Sequence, residues 1–213
     1  MSKAQSCGLY LELDDAAGAA ERLSAAFSVA IVSAVLIRPQ AAPRIESLRA
    51  LVHLVQGKGA AAIVSGDAGL ALSSGADGVH LAWSDDAADI YRQARSTLGA
   101  DRIVGGEAGP LRHDAMVIGE LGAEYVAFGR GGGSSGEGVP EDQFERVAWW
   151  GKVFEVPCVA LGIDDAAAAA RLAAEGADFI GWRLAAGQSP ADVAAGLQAV
   201  TAALGARSVH QIG

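Results

Sequence analysis

Three short runs decide how the chain folds: SGADGVHL (residues 74–81), LGAEYVAFG (121–129) and EGADFIGW (175–182). Each reads as a helix end, a Gly, a small residue, an acidic residue and then a β-type run. Glycine at that point accepts the left-handed turn that ends a helix, and the apolar run beyond it has the composition of a strand. A helix handed over to a strand in the same way three times is what a set of parallel strands with helical crossovers requires.

Working outward, the same alternation fills the chain. Strand-like runs stand at Leu9–Leu13, Ala34–Ile37, Ala61–Val64, Gly78–Leu81, Ile103–Gly105, Tyr125–Phe128, Val156–Ala160 and Phe179–Gly181. Helical spacing follows the first strand and continues at Ile45–Val55, Ala68–Ser73, Ala87–Leu98, Leu111–Leu121, Gln143–Trp150, Ala166–Ala174 and Ala191–Leu204. Repeats of ~27 residues match a βα unit. Eight of them in 213 residues predict a (β/α)8 TIM barrel, a fold that starts at ~200 residues, in preference to an open doubly wound sheet. One barrel domain over residues 1–213 is expected, since no linker or low-complexity tract interrupts the pattern.

Composition agrees and excludes several functions. Hydrophobic residues make up 51%, charged residues 19%, and 16 Lys+Arg face 25 Asp+Glu for a net charge of −9. That balance argues against a nucleic-acid backbone or an anionic membrane as partner. Cys7 and Cys158 have neither CxxC nor Cys/His spacing, so both read as structural, and a cytoplasmic, reduced setting is expected. The first 25 residues hold Glu12, Asp14, Asp15, Glu21 and Arg22 and no long apolar run, so neither a signal peptide nor a membrane span is expected.

In TIM barrels the chemistry lies at the C-terminal ends of the strands. The candidates are therefore Asp14 and Asp15, Arg38 and Gln40, Ser65–Asp67, Trp83 and Asp85, Glu107, Arg130 with its Gly-rich loop, Asp164 and Arg183. Arg38 reads either as an anion anchor, through its fork of donors, or as the partner of a carboxylate such as Asp67 or Glu107. Asp85 reads either as a metal ligand or as a cap of the following helix. The loop 129–138 reads either as a nest of backbone N–H groups with Arg130, Ser134 and Ser135, or as a solvated loop. His80, inside an apolar run, reads as structural in preference to catalytic.

The run Gly75–Leu81 followed by Asp85 resembles the fourth strand of the thiamine phosphate synthase family, G-A-D-G-V-H-L-G-Q-x-D. Further matches are Val35–Arg38 with that family's Q-L-R-x-K, Val64–Asp67 with its Asn-Asp-Arg strand end, Glu124–Gly129 with D-Y-I-G-x-G, and Pro157–Gly162 with P-V-V-A-I-G-G-I. The resemblance implies a transferase of thiamine biosynthesis that joins hydroxymethylpyrimidine diphosphate to thiazole phosphate and releases diphosphate. It implies Mg²⁺ on Asp85, with Asp67 beside the position of the second carboxylate, where this chain has Gly66. It implies Arg38 on the diphosphate, with Gln40 in place of a lysine. Gly162, Arg130 and Ser134 would serve the thiazole phosphate, and Trp83 or Trp182 would stack on the pyrimidine or fill the barrel mouth. Small phosphorylated heterocycles are the implied partners, and family members tend to form homo-oligomers. Two other readings stay open at this point: a barrel that has lost catalysis and binds or regulates, and a thiazole tautomerase-like enzyme with Glu107 as its acid/base.

Overall fold

The computed structural model describes residues 7–129 and 138–205. Eight parallel strands close in the order β1-β2-β3-β4-β5-β6-β7-β8. The strands are β1 (Gly8–Asp14), β2 (Ala34–Arg38), β3 (Ala61–Ser65), β4 (Gly78–Leu81), β5 (Ile103–Glu107), β6 (Val126–Phe128), β7 (Cys158–Ile163) and β8 (Phe179–Leu184). The helices that follow them are α1 (Ala19–Val29), α2 (Ile45–Gln56), α3 (Ala68–Ser74), α4 (Ala87–Leu98), α5 (Arg112–Glu120), α6 (Glu141–Val153), α7 (Ala166–Glu175) and α8 (Pro190–Gly205). The (β/α)8 expectation is met.

Period-2 alternation sorts each strand between two cores. On β1, Leu9, Leu11 and Leu13 join the layer between barrel and helices. Tyr10 points the other way and joins Leu36, Ile63, Tyr125, Ala127, Val159 and Leu161 inside the barrel. Helices answer with period 3.6: α2 buries Leu48, Leu51, Val52 and Val55, an i, i+3, i+4, i+7 stripe. Each such fully buried side chain contributes about 1.5–3 kcal/mol relative to exposure.

The three runs around Gly75, Gly122 and Gly176 do more than turn the chain. Gly75, Gly122 and Gly176 adopt φ of +75°, +85° and +112°. The residue after each closes a Schellman bond: Ala76 N–H to Ala71 O, Ala123 N–H to Ile118 O and Ala177 N–H to Leu172 O. The acidic residue then clamps the preceding strand at the N-terminal end of the barrel. Asp77 donates its N–H to Ala62 O and accepts Ala62 N–H on its carboxylate at 2.7 Å. Glu124 does the same with Val104, at 2.7 Å, and Asp178 with Cys158, at 2.8 Å. Three reciprocal carboxylate clamps thus seal β3 to β4, β5 to β6 and β7 to β8.

Most strand ends lie within a residue or two of the sequence reading, and β7 and β8 depart furthest. Pro157 has no N–H to give, so β7 begins at Cys158 and runs on through a register irregularity between Ala160 and Ile163. β8 continues to Leu184, which makes Trp182 a strand residue. Its indole faces outward over Gly196 of α8, among the barrel–helix core, and does not fill the mouth.

Candidate active site

The strands end around a cavity of about 220 Å³ whose polar lining is Glu12, Asp14, Arg38, Glu107 and Arg183, with Gly162 at its wall. Strand parity puts the side chains there. Glu12 stands two residues beyond Tyr10, Arg38 two beyond Leu36 and Glu107 two beyond Gly105, so each is the next inward position towards the mouth. The register brings Asp14 opposite Arg38 on adjacent strands.

Glu12 is buried and divided between two partners. Its Oε2 accepts from Arg38 Nη2 at 2.9 Å, and its Oε1 accepts the Gly162 N–H at 2.5 Å. Gly162 supplies that N–H because β7 is irregular there and its φ is +76°, a conformation that a side chain would strain. Gly181 keeps space for the carboxylate, since a Cβ on it would lie 2.8 Å from Leu161 and 3.0 Å from Glu12 Oε1. Burial works against the Arg38 charge, but Glu12 more than offsets it and holds the guanidinium firmly protonated. Arg38 does pair with a carboxylate, but with Glu12 and not with Asp67 or Glu107.

Glu107 has its carboxyl pushed above the usual range by burial, while the positive charge of Arg38 pulls the other way. Gly129 makes the room: a Cβ there would collide with Glu107 Oε1. Behind this wall stands Arg146 of α6, buried, donating to Gly129 O at 2.9 Å and to Gly109 O at 3.3 Å. Gln143, one turn earlier and fully buried, donates to Phe128 O and Leu161 O. Helix α6 thereby grips the ends of β6 and β7 and the loop after β5. Arg146→Met, which keeps the aliphatic bulk, should destabilise the protein by about 1–3 kcal/mol, because two carbonyls lose a charged donor. A fall in the denaturant midpoint checks this, and an unchanged midpoint would show that other bonds hold Gly109 and Gly129.

The expected site residues separate into three groups. Arg38, Glu107 and Gly162 converge on the cavity. Gln40 is exposed and donates to Asp15 O at 2.6 Å; Trp83 packs on Gly109, where a Cβ would meet its ring; Asp67 caps α3 by accepting Leu70 N–H at 2.8 Å. None of these three lines the cavity, and neither does Asp85, which is exposed in the turn before α4. Arg130 and Ser134 lie outside the described residues. Sequence reasoning missed Glu12, Arg146 and Gln143 altogether, and named Asp14 and Arg183 only as strand ends.

Beneath the cavity a polar chain crosses the barrel interior. His80 Nδ1 lies 2.9 Å from Tyr125 Oη, which lies 3.0 Å from Tyr10 Oη. Burial, reinforced by the charge of Arg38, pushes the imidazole down to about 3, so it is neutral. Its Nε2 has no hydrogen-bond partner among the described residues. His80 is a core residue, as expected. Both thiols are pushed up to about 12 by burial, which keeps them protonated.

The sequence model of the family described as "Thiamine monophosphate synthase" matches residues 10–185. The chain belongs to the thiamine monophosphate synthase family. Among its relatives, a thiamine-phosphate synthase of Rhodospirillum centenum is 41% identical over 182 residues, covering 82% of this chain and 86% of that protein. Another, from Hyphomonas neptunium, is 39% identical over 132 residues, covering 62% and 58%. The solved structure of a thiamine phosphate pyrophosphorylase from Pyrococcus furiosus superposes with a TM-score of 0.76 at 22% identity, covering 97% of this chain and 99% of that one, which supports the shared barrel. The cavity lies at the C-terminal ends of the strands, where TIM barrels keep their active sites.

Magnesium is the cofactor the family implies, and the residues do not make a protein-borne site for it. Among the described residues no three His, Cys, Asp or Glu side chains come together as a metal cluster. The Asp67 carboxylate is engaged as a helix cap, and Gly66, beside it, has φ +141°, which disfavours any side chain. Asp85 alone remains, and one carboxylate is at the low end of what holds Mg²⁺ even when substrate phosphates complete its shell. No helix among the described residues is long and apolar enough to cross a membrane.

Proposed function

We propose that this protein is a thiamine-phosphate synthase that joins hydroxymethylpyrimidine diphosphate to thiazole phosphate at the mouth of the barrel. The match of the family model over residues 10–185 carries this reading, with the Arg38 cavity as its supporting geometry. In the reaction the bond between the pyrimidine methylene and the diphosphate oxygen breaks, and its electron pair leaves with the diphosphate. The thiazole nitrogen then gives its lone pair to the methylene carbon, which forms the new C–N bond.

The chain's own residues meet both halves of that charge separation. Arg38, paired with Glu12 in the free protein and always protonated, lines the cavity where the diphosphate would leave and offers it a fork of donors. Glu107, across the cavity, supplies negative charge on the side where the methylene becomes positive, and Arg146 holds the wall that positions it. The opposition of Arg38 to Glu107 across a part-enclosed cavity suits an ionising substitution better than acid/base chemistry. Incubating the purified protein with both substrates should yield thiamine phosphate, detected after oxidation to its fluorescent thiochrome derivative. Absence of product from folded protein would overturn the reading.

A further inference from the structure

Glu12 has no assigned part in joining the two heterocycles, yet it holds two groups of the mouth that could bind an anion. One is the guanidinium of Arg38; the other is the Gly162 N–H, turned inward by a positive-φ glycine. A carboxylate presents two coplanar oxygens to them, as a bound phosphoryl group would. Its side chain is only 7% exposed, and the missing side chain of Gly181 leaves its seat open. Asp14 and Glu107 line the same cavity, so a diphosphate that entered with Glu12 in place would face three carboxylates against Arg38 and Arg183.

We propose that Glu12 is a built-in competitor for the substrates' phosphoryl groups, a specificity-determining residue that must yield Arg38 to the diphosphate and with it release the Gly162 N–H, the group expected at the thiazole phosphate. Resting on the reading that Arg38 faces the diphosphate, the proposal adds that the cavity's anion affinity is set from within the chain. Arg38 is suited to the exchange. Its side chain is 37% exposed, so its fork can turn from Glu12 to a ligand on the solvent side without crossing the core.

The test is calorimetric titration of inorganic diphosphate into wild type, Glu12→Gln and Arg38→Ala, each first checked for folding by circular dichroism. Glu12→Gln keeps the shape and removes the charge, and should bind diphosphate about tenfold more tightly, the size expected on removing one like charge beside a part-buried anion. Arg38→Ala should bind it more weakly than wild type. Equal or weaker binding by Glu12→Gln would overturn the proposal and leave Glu12 as a strut that orients Arg38. If that variant does not fold, the wild-type Gly162 amide decides: its NMR resonance should move as diphosphate saturates, and a resonance that stays put overturns the proposal, as does an absence of binding. Product formation is scored separately. Turnover without tighter binding by Glu12→Gln sinks the competitor alone, whereas tighter binding without turnover sinks the synthase reading alone.

Discussion

Arg38→Ala is expected to lower kcat/KM by about 10²–10³-fold, the usual cost of removing one preorganised donor from a developing anion. The expectation follows from its placement: it is the inward residue at the end of β2, its charge is secured by Glu12, and its unused donors face the cavity. Steady-state kinetics with both substrates would measure it, and a kcat/KM within about threefold of wild type would take Arg38 out of the reaction. Stability should change much less. Breaking a buried ion pair costs about 3–5 kcal/mol, but Arg38 is 37% exposed and Glu12 keeps the Gly162 N–H, so solvent and that bond absorb much of the loss. Arg38→Lys would restore the charge but not the fork, and should recover only part of the rate.

Acid should destabilise the protein earlier than its carboxylates alone require. An unfolded histidine binds its proton near pH 6.5, whereas folded His80 resists protonation down to about 3. Below pH 6.5 the unfolded chain therefore binds more protons than the folded one, and stability is lost progressively as the pH falls from 6.5 towards 3. At about 1.4 kcal/mol per pH unit, His80 should remove about 2–3 kcal/mol between pH 6.5 and 4.5. Denaturant unfolding at several pH values would show this slope in wild type and its loss in His80→Gln, which has no proton to gain. Parallel pH profiles for the two proteins would show that His80 is protonated in the fold without penalty. The imidazole's ring neighbours inside the barrel are Tyr125 and, beyond it, Tyr10, and the nearest influential charge is Arg38.

The barrel was legible because its signals are local and repeated. Gly75, Gly122 and Gly176 announce the helix ends, and the apolar runs behind them match the observed β4, β6 and β8 at their starts to within a residue. Boundaries slipped where a single residue intervened. Pro157 delayed β7, and nothing in the run 179–184 warned that β8 would extend through Trp182 and Arg183. The site was half legible. Arg38 and Glu107 stand at strand ends, where barrels keep their chemistry, but Glu12 lies inside the run Leu9–Leu13 and was hidden among leucines. Its signal was parity: it shares Tyr10's face, and a carboxylate there must meet a partner inside the barrel. Arg146 had no such signal, because a charge on a helix is ordinarily solvated, and only the packing of α6 over the strand ends buries it.

The carboxylate clamps at the N-terminal end have a consequence for how this barrel tolerates change. They join β3 to β4, β5 to β6 and β7 to β8, but the matching position before β2 is Ser33, which bonds Leu9 through its main chain and carries no carboxylate. The first strand pair is instead tied at the opposite end, by Glu12 and Arg38. Three of the barrel's eight seams are thus anchored by carboxylates at the end away from the cavity. The first pair has its carboxylate tie inside the cavity, so there a change to the proposed diphosphate site is also a change to what holds the wall together.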